Sequence, residues 1–255
     1  MFELNQVLVE RNNRKILDIP NLQLPSDQVC VILGHNGSGK TTLMQCLARQ
    51  LSPDQGEITF NGQSLSRFSQ RKLAQNIAFL PQSLPISSGL TVRELVQLGR
   101  FPWRGTWGKL KRDDHTIIES AIEQVGIDQY ANQFVEDLSG GERQRAWIAM
   151  LLAQESPVLL LDEPTSALDI AHQYELMSLL KKLNQETGQG MVIILHDINL
   201  AARYADCIFA MKQGRCFFQG SPEALMQPDR LEALYGIPMS LIQHPDNSSK
   251  VALVC

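Results

Sequence analysis

Between Val29 and Arg49 the chain runs Val-Cys-Val-Ile-Leu, then Gly34-His35-Asn36-Gly37-Ser38-Gly39-Lys40-Thr41-Thr42, then a segment with Leu43, Met44 and Leu47. An apolar β-rich run that breaks into glycines and resumes at helical spacing predicts strand, tight loop and helix. The loop fits the pattern G-x-x-x-x-G-K-[ST] in the context that pattern needs. Glycines let successive backbone N–H groups turn inward around phosphate oxygens, and the following helix offers its positive N-terminal end. Lys40 adds a point charge toward β and γ phosphates, and Thr41 a hydroxyl for Mg²⁺. A glycine-rich turn that binds no phosphate is the competing reading; the complete match between strand and helix weighs against it.

The same alternation returns downstream. Ile77–Leu80, Val158–Leu161, Met191–Leu195 and Cys207–Met211 read as buried strands separated by helix-length segments, which predicts an α/β fold with a largely parallel sheet. From Gln82 to about Ser156 the pattern changes. Val92–Gly99, Thr116–Val125 and Glu142–Gln154 read as helices with no strand between them, a helical insertion. The expected division is therefore a core of residues 1–82 and 157–255, with a helical subdomain over 83–156. Phe101–Lys111, which holds Pro102, Trp103 and Trp107, reads as a loop too irregular for a periodic element. Its tryptophans suit either an exposed contact surface or a cap on the helical lobe. After Ser221 a turn and a short helix around Glu223–Met226 lead to a polar tail, His244–Lys250, expected to be peripheral.

Three further stretches carry chemistry. Val158-Leu159-Leu160-Leu161-Asp162-Glu163 is an apolar run ending in adjacent carboxylates, and strand alternation predicts that they face different ways. Asp162 then suits a metal and Glu163 a general base for an attacking water, whereas an N-capping pair is the structural alternative. His196 ends the next apolar run and would lie beside Glu163 if the two strands are neighbours; alone, it reads as readily as a surface cap. Leu138-Ser139-Gly140-Gly141-Glu142-Arg143-Gln144 opens a helix with a hydroxyl and free N–H groups, a second anion cradle. One nucleotide does not need two cradles, so the second is expected to serve a nucleotide held by another copy in a head-to-tail dimer, unless it is only a helix cap.

Composition narrows the field. With 23 Lys and Arg against 27 Asp and Glu, the net charge of −4 is wrong for a nucleic-acid binder that works by phosphate neutralisation. The short basic run Lys109, Lys111 and Arg112 reads as a solvated loop. No apolar run approaches the roughly 20 residues of a membrane-spanning helix. The N-terminal residues lack the pattern of a secretory signal, so the chain is expected in the cytoplasm. The five cysteines, Cys30, Cys46, Cys207, Cys216 and Cys255, show neither a CxxC pair nor a metal-ligand rhythm and are expected to be reduced.

LSGGERQ, together with the phosphate loop, the Asp162-Glu163 pair and Ser166-Ala167-Leu168-Asp169, resembles the ATPase subunit of ABC transporters over most of the chain. The resemblance implies a P-loop NTPase (RecA-like) ABC ATPase core with an inserted α-helical subdomain. It implies ATP and Mg²⁺ as cofactors, with Gln82 as the Q-loop residue at the metal and Ser166–Asp169 as a loop at the dimer interface. His196 becomes the switch histidine. Catalytic roles then fall to Glu163, His196, Gln82 and Lys40. Gly34 to Thr42, Arg11 and Ser139 to Glu142 bind nucleotide, and Thr41, Gln82 and Asp162 hold the metal. GLTVRELVQLGRFPW, LDEPTSALDIAHQ, ILHDINLAARYAD and LYGIPM are similar to importers of ferric siderophores, the ferric hydroxamate uptake ATPases above all; haem and cobalamin importers share much of the pattern. Such an ATPase is expected to be a homodimer on the cytoplasmic face of the inner membrane, bound to an integral permease and, through it, indirectly to a periplasmic or surface siderophore-binding protein. A soluble ABC ATPase that never meets a membrane is the rival class, and such proteins usually carry two cassettes or coiled-coil insertions. The family's adenine-stacking aromatic is replaced by Arg11, whose guanidinium can also stack on a base, and this leaves ATP and GTP both open.

Overall fold

The computed structural model describes residues 1–85, 89–105, 108–243 and 250–255. It opens with an antiparallel hairpin of β1 (Phe2–Arg11) and β2 (Arg14–Leu24). Asn12 and Asn13 form its tip at φ 51° and 59°, the left-handed pair a two-residue hairpin needs and asparagine tolerates. β3 (Val29–Leu33) is buried throughout and feeds the glycine loop into α1 (Lys40–Leu47). β4 (Gln55–Phe60) and β5 (Gln63–Ser64) complete an antiparallel sheet ordered β2-β1-β4-β5. This sheet was not expected from the sequence, because the register shifts beyond Asn5 and Gln6 sits at φ 51°, which breaks the alternation that would reveal β1.

After α2 (Gln70–Ala74) and β6 (Ile77–Leu80) come α3 (Val92–Leu98), α4 (Phe101–Arg104), α5 (Arg112–Gln124) and α6 (Gly140–Ala153), with no named strand between them among the described residues. β7 (Val158–Leu161), α7 (Ile170–Thr187), β8 (Gly190–Ile194), α8 (Ile198–Tyr204), β9 (Cys207–Lys212) and β10 (Arg215–Gly220) then finish the central sheet. Its order is β10-β9-β3-β8-β7-β6, and all neighbours run parallel except β9 and β10. Alternate residues of one strand enter opposite cores. Val29, Val31, Leu33, Leu159 and Leu161 join the helices, whereas Cys30, Ile32, Val158 and Leu160 face α1 and the antiparallel sheet. Both faces are covered, so these strands read as unbroken apolar runs.

Three expectations are corrected. Phe101–Lys111 is not wholly irregular: Phe101–Arg104 is a helical turn with Pro102 near its start, and Trp103 donates its indole N–H to Gln154 O at 2.7 Å under the Arg100 guanidinium. Trp107 lies outside the described residues. The helix expected from Glu142 starts at Gly140, because Ser139 caps it. The tail is more than a polar appendage: after α9 (Pro222–Leu225) the chain forms α10 (Pro228–Tyr235), β11 (Met239–Gln243) and β12 (Lys250–Val254), with residues 244–249 outside the described set. No described helix is long and apolar enough to cross a membrane, and the cysteines form no disulfide.

Candidate functional site

At the carboxyl ends of parallel strands the chain turns away and leaves a crevice, and here β3, β6, β7 and β8 all deliver residues to one place. The crevice has a volume of about 430 Å³ and is lined by Ile16, Asn36, Gly37, Gly39, Lys40, Thr41, Thr42, Gln82, Glu163 and His196. Two glycines of the loop, Gly34 and Gly39, answer steric demands. Gly39 sits at φ 97°, where an added Cβ would come within 2.8 Å of Ile16 O and of a Leu17 methyl; at Gly34 one would lie 2.3 Å from Met211 O. Lys40 Nζ donates to Gly34 O at 2.8 Å and His35 O at 3.0 Å, and Ser38 N donates to His35 O, so the loop is curled around its own lysine. Burial pulls the Lys40 ammonium below its ordinary pKa, opposed by Glu163 and Asp162. Ser38 Oγ is buried with no partner among the described residues, a hydroxyl left over for a ligand oxygen.

Asp162 is 2% exposed, and its carboxyl is pushed up to about 6 by burial and by the neighbouring Glu163, against the Thr41 hydroxyl and Lys40. Thr41 Oγ1 lies 3.5 Å from Asp162 Oδ1. β7 ends at Leu161, so strand alternation does not orient the carboxylate pair. Glu163 instead takes φ 51°, a left-handed backbone that a non-glycine residue adopts only where its surroundings hold it. Its carboxylate is clasped from two sides: Gln82 Nε2 donates to one oxygen at 2.7 Å, and His196 Nε2 is 2.7 Å from the other. β7 and β8 are neighbours, with Leu161 level with Ile193, which brings His196 beside Glu163.

Ser139 to Glu142 do not line this crevice. Ser139 Oγ accepts from Glu142 N while Glu142 Oε2 accepts from Ser139 N, a reciprocal capping box. The Glu142 carboxyl is held low by the Tyr130 hydroxyl and by Ser139. A Cβ on Gly140 would meet nothing nearer than Ala167 O at 3.8 Å, and one on Gly141 nothing nearer than His172 at 3.6 Å. Glycine costs a helix roughly 0.5–1 kcal/mol relative to alanine, and no neighbour among the described residues demands it at either position. The neighbours of these glycines are Ala167, Leu168 and His172, so the helix start and the loop Ser166–Asp169 present one surface.

Arg11 does not line the crevice. At the end of β1 it donates to Glu10 O and pairs with Asp54 at 3.4 Å, while Ile16 from β2 occupies the wall. Sequence reasoning missed Ile16 and also Tyr235, whose ring meets that of His35 edge-on at 5.5 Å. No local pattern signals either contact, because each joins segments distant in sequence. A groove of about 520 Å³ at the opposite end of the sheet, with Thr116, Ser120, Gln124 and Gln189 in its wall, offers neither a glycine loop nor a lysine.

The arrangement defines a P-loop ATPase. Residues 17–166 match the family model described as ABC transporter. The iron(3+)-hydroxamate import ATP-binding protein FhuC of Bacillus subtilis is 38% identical over 97% of this chain and 92% of its own. The ferric enterobactin transport ATP-binding protein FepC of Escherichia coli is 38% identical over 88% and 83%. Among solved structures, a chain of a transporter assigned to the metal-chelate ABC type and captured inward-facing superposes with a TM-score of 0.86 at 27% identity, covering 100% of this chain and 97% of that one. A dimeric ATP-binding cassette in a post-hydrolysis state with ADP and Pi gives 0.76 at 28% identity, over 87% and 99%. The chain belongs to the ABC transporter family and is one of its ATP-binding, ATP-hydrolysing cassettes.

Proposed function

We propose that this chain powers import of ferric siderophores of the hydroxamate type, as a homodimer on the cytoplasmic face of the membrane beneath an integral permease fed by a siderophore-binding protein. The observation that carries the ATPase chemistry is Glu163, clasped between Gln82 and His196 at the mouth of the phosphate loop. The cargo reading rests on the siderophore names of relatives that match nearly the whole chain.

In this reading the N–H groups of Gly37 to Thr41 hold the β and γ phosphates, and Lys40 exchanges its loop carbonyls for phosphate oxygens. Glu163 orients an attacking water and takes its proton, while His196 and Gln82 fix the carboxylate's position. Thr41, Asp162 and Gln82 offer a hydroxyl, a carboxylate and an amide oxygen, the hard donors that suit Mg²⁺. When bound, Mg²⁺ neutralises charge developing on the transferred phosphoryl group. Ser139 to Glu142, which are not in the wall of their own chain's crevice, close over the nucleotide of the second copy. Residues 83–156 form the helical subdomain that moves against the core of 1–82 and 157–255, and Gln82 joins the two.

The test is uptake of radiolabelled ferric hydroxamate, ferric catecholate, haem and cobalamin in cells lacking this protein, complemented with wild type or Glu163→Gln. Selective loss of hydroxamate uptake, restored by wild type alone, is the expected result. Loss confined to haem, cobalamin or catecholate overturns the cargo and keeps the ATPase. Unchanged uptake of all four, with every other siderophore ATPase deleted, overturns the transport reading.

A further inference from the structure

Among the described residues, the segment after β10 contributes nothing to the crevice wall, yet it touches the phosphate loop at His35 and the helix that follows His196 at Asn199. Tyr235, the last residue of α10, sets its ring edge-on against His35, the second residue of the phosphate loop. His35 O is the acceptor for both Lys40 Nζ and Ser38 N, so the backbone this ring steadies is the one that curls the loop. At the other end of the segment, Asn199 of α8 donates to Ala252 O at 3.1 Å and accepts from Ala252 N at 2.8 Å, which adds β12 to the start of the helix just beyond His196. Asp197, two residues before Asn199, caps α8 by accepting from Asn199 N and Leu200 N.

Most of the Tyr235 side chain is enclosed, and its hydroxyl has no hydrogen-bond partner among the described residues. Burial, with Asp197 nearby, pushes the phenol up to about 12, so the group is neutral and makes its contact as a ring alone. A buried hydroxyl without a partner is a cost, and removing it is neutral or favourable. The tyrosine is thus a packing piece whose ring matters and whose oxygen does not.

We propose that α10 and the paired strands β11 and β12 form a strap that sets the phosphate loop and the His196 corner relative to each other, with Tyr235 and Asn199 as positioning residues for ATP hydrolysis. The inference rests on the reading that the crevice binds ATP. A loop whose His35 is already steadied loses less freedom when phosphate arrives, so the Tyr235 contact acts on nucleotide affinity. The Asn199 clamp acts on His196, and through it on Glu163, so it bears on turnover.

The experiment is steady-state ATP hydrolysis and fluorescent ATP-analogue binding by the full chain, with thermal melting recorded for each variant. Tyr235→Ala is expected to raise KM and Kd about tenfold with kcat within twofold, and Tyr235→Phe to match wild type with an equal or higher Tm. Asn199→Ala is expected to lower kcat about tenfold with KM little changed. A double-mutant cycle with His35→Ala separates the contact from general destabilisation: Tyr235→Ala should have no added effect on Kd once His35 is alanine. Additive effects in the cycle, a Tyr235→Phe variant as impaired as Tyr235→Ala, or kcat and KM both unchanged in Tyr235→Ala and Asn199→Ala each overturn the strap. Failure of wild type to bind the analogue overturns the ATPase reading instead.

Discussion

Glu163 is the residue on which chemistry and conformation meet. Its left-handed backbone and two side-chain partners place one carboxylate where strand geometry would not. Glu163→Gln keeps the shape and the partners but loses the proton acceptor, so ATP binding should persist while phosphate release falls by about 10²–10⁴. Unchanged phosphate release would remove Glu163 from the base role. The glycines of the loop make a second residue-scale case. Gly37 at φ 77° has open space around it, so Gly37→Ala should cost only the left-handed penalty of about 1–2 kcal/mol. Gly39→Ala adds overlap with Ile16 O and Leu17 and should cost a further 1–3 kcal/mol or about that. Urea unfolding midpoints of the two variants give the comparison, and equal losses would show that the Ile16 carbonyl yields freely.

Among elements, the helical lobe is tied by one buried guanidinium. Arg100, 6% exposed, follows α3 and donates to Asp114 of α5 at 2.8 Å, to Ala153 O at the end of α6 at 2.8 Å and to Glu155 at 2.7 Å. Losing the buried carboxylate leaves Arg100 with only the half-exposed Glu155, so Asp114→Asn should destabilise the chain by about 1–3 kcal/mol. The Asp114 carboxyl is held below its ordinary 3.8 by the Lys111 backbone N–H and by Arg100. A depressed carboxylate stabilises the fold fully above its ordinary value and ceases to do so as pH falls through its folded one. The stability gap between wild type and Asp114→Asn, measured by urea unfolding, should therefore be constant from pH 7 to 5 and shrink below about pH 4. A gap that widens in acid would contradict the ion pair.

For the whole molecule, the question is why an exposed helix start carries two glycines that its own chain does not require. In the proposed dimer they let another copy's phosphates approach. Gly140→Asp should leave the monomer folded, since there is room for a Cβ and an acid favours a helix N-terminus. The same carboxylate would repel phosphate across the interface. Light scattering of Glu163→Gln with Mg-ATP should show twice the monomer mass, and the double variant with Gly140→Asp only the monomer; a dimer in both would place the interface elsewhere.

The buried strands, the phosphate loop, the helical insertion and the carboxylate pair were legible in the sequence, because each is written in neighbouring residues with a period or a spacing. The antiparallel sheet of β1, β2, β4 and β5 was not, since its alternation is broken at Asn5-Gln6 and its partners come from afar. The ends of apolar runs named Glu163 and His196, and the family resemblance named Gln82. Only the order β3-β8-β7-β6 set them around one carboxylate, and only the turn at Glu163 aimed it. The Arg11 side chain next to Asp54, Ile16 in the crevice wall and Tyr235 against His35 were likewise decided in three dimensions. A sequence records which groups a local turn or strand presents; which distant groups meet them depends on how the layers pack, and that appears only when the chain has closed on itself.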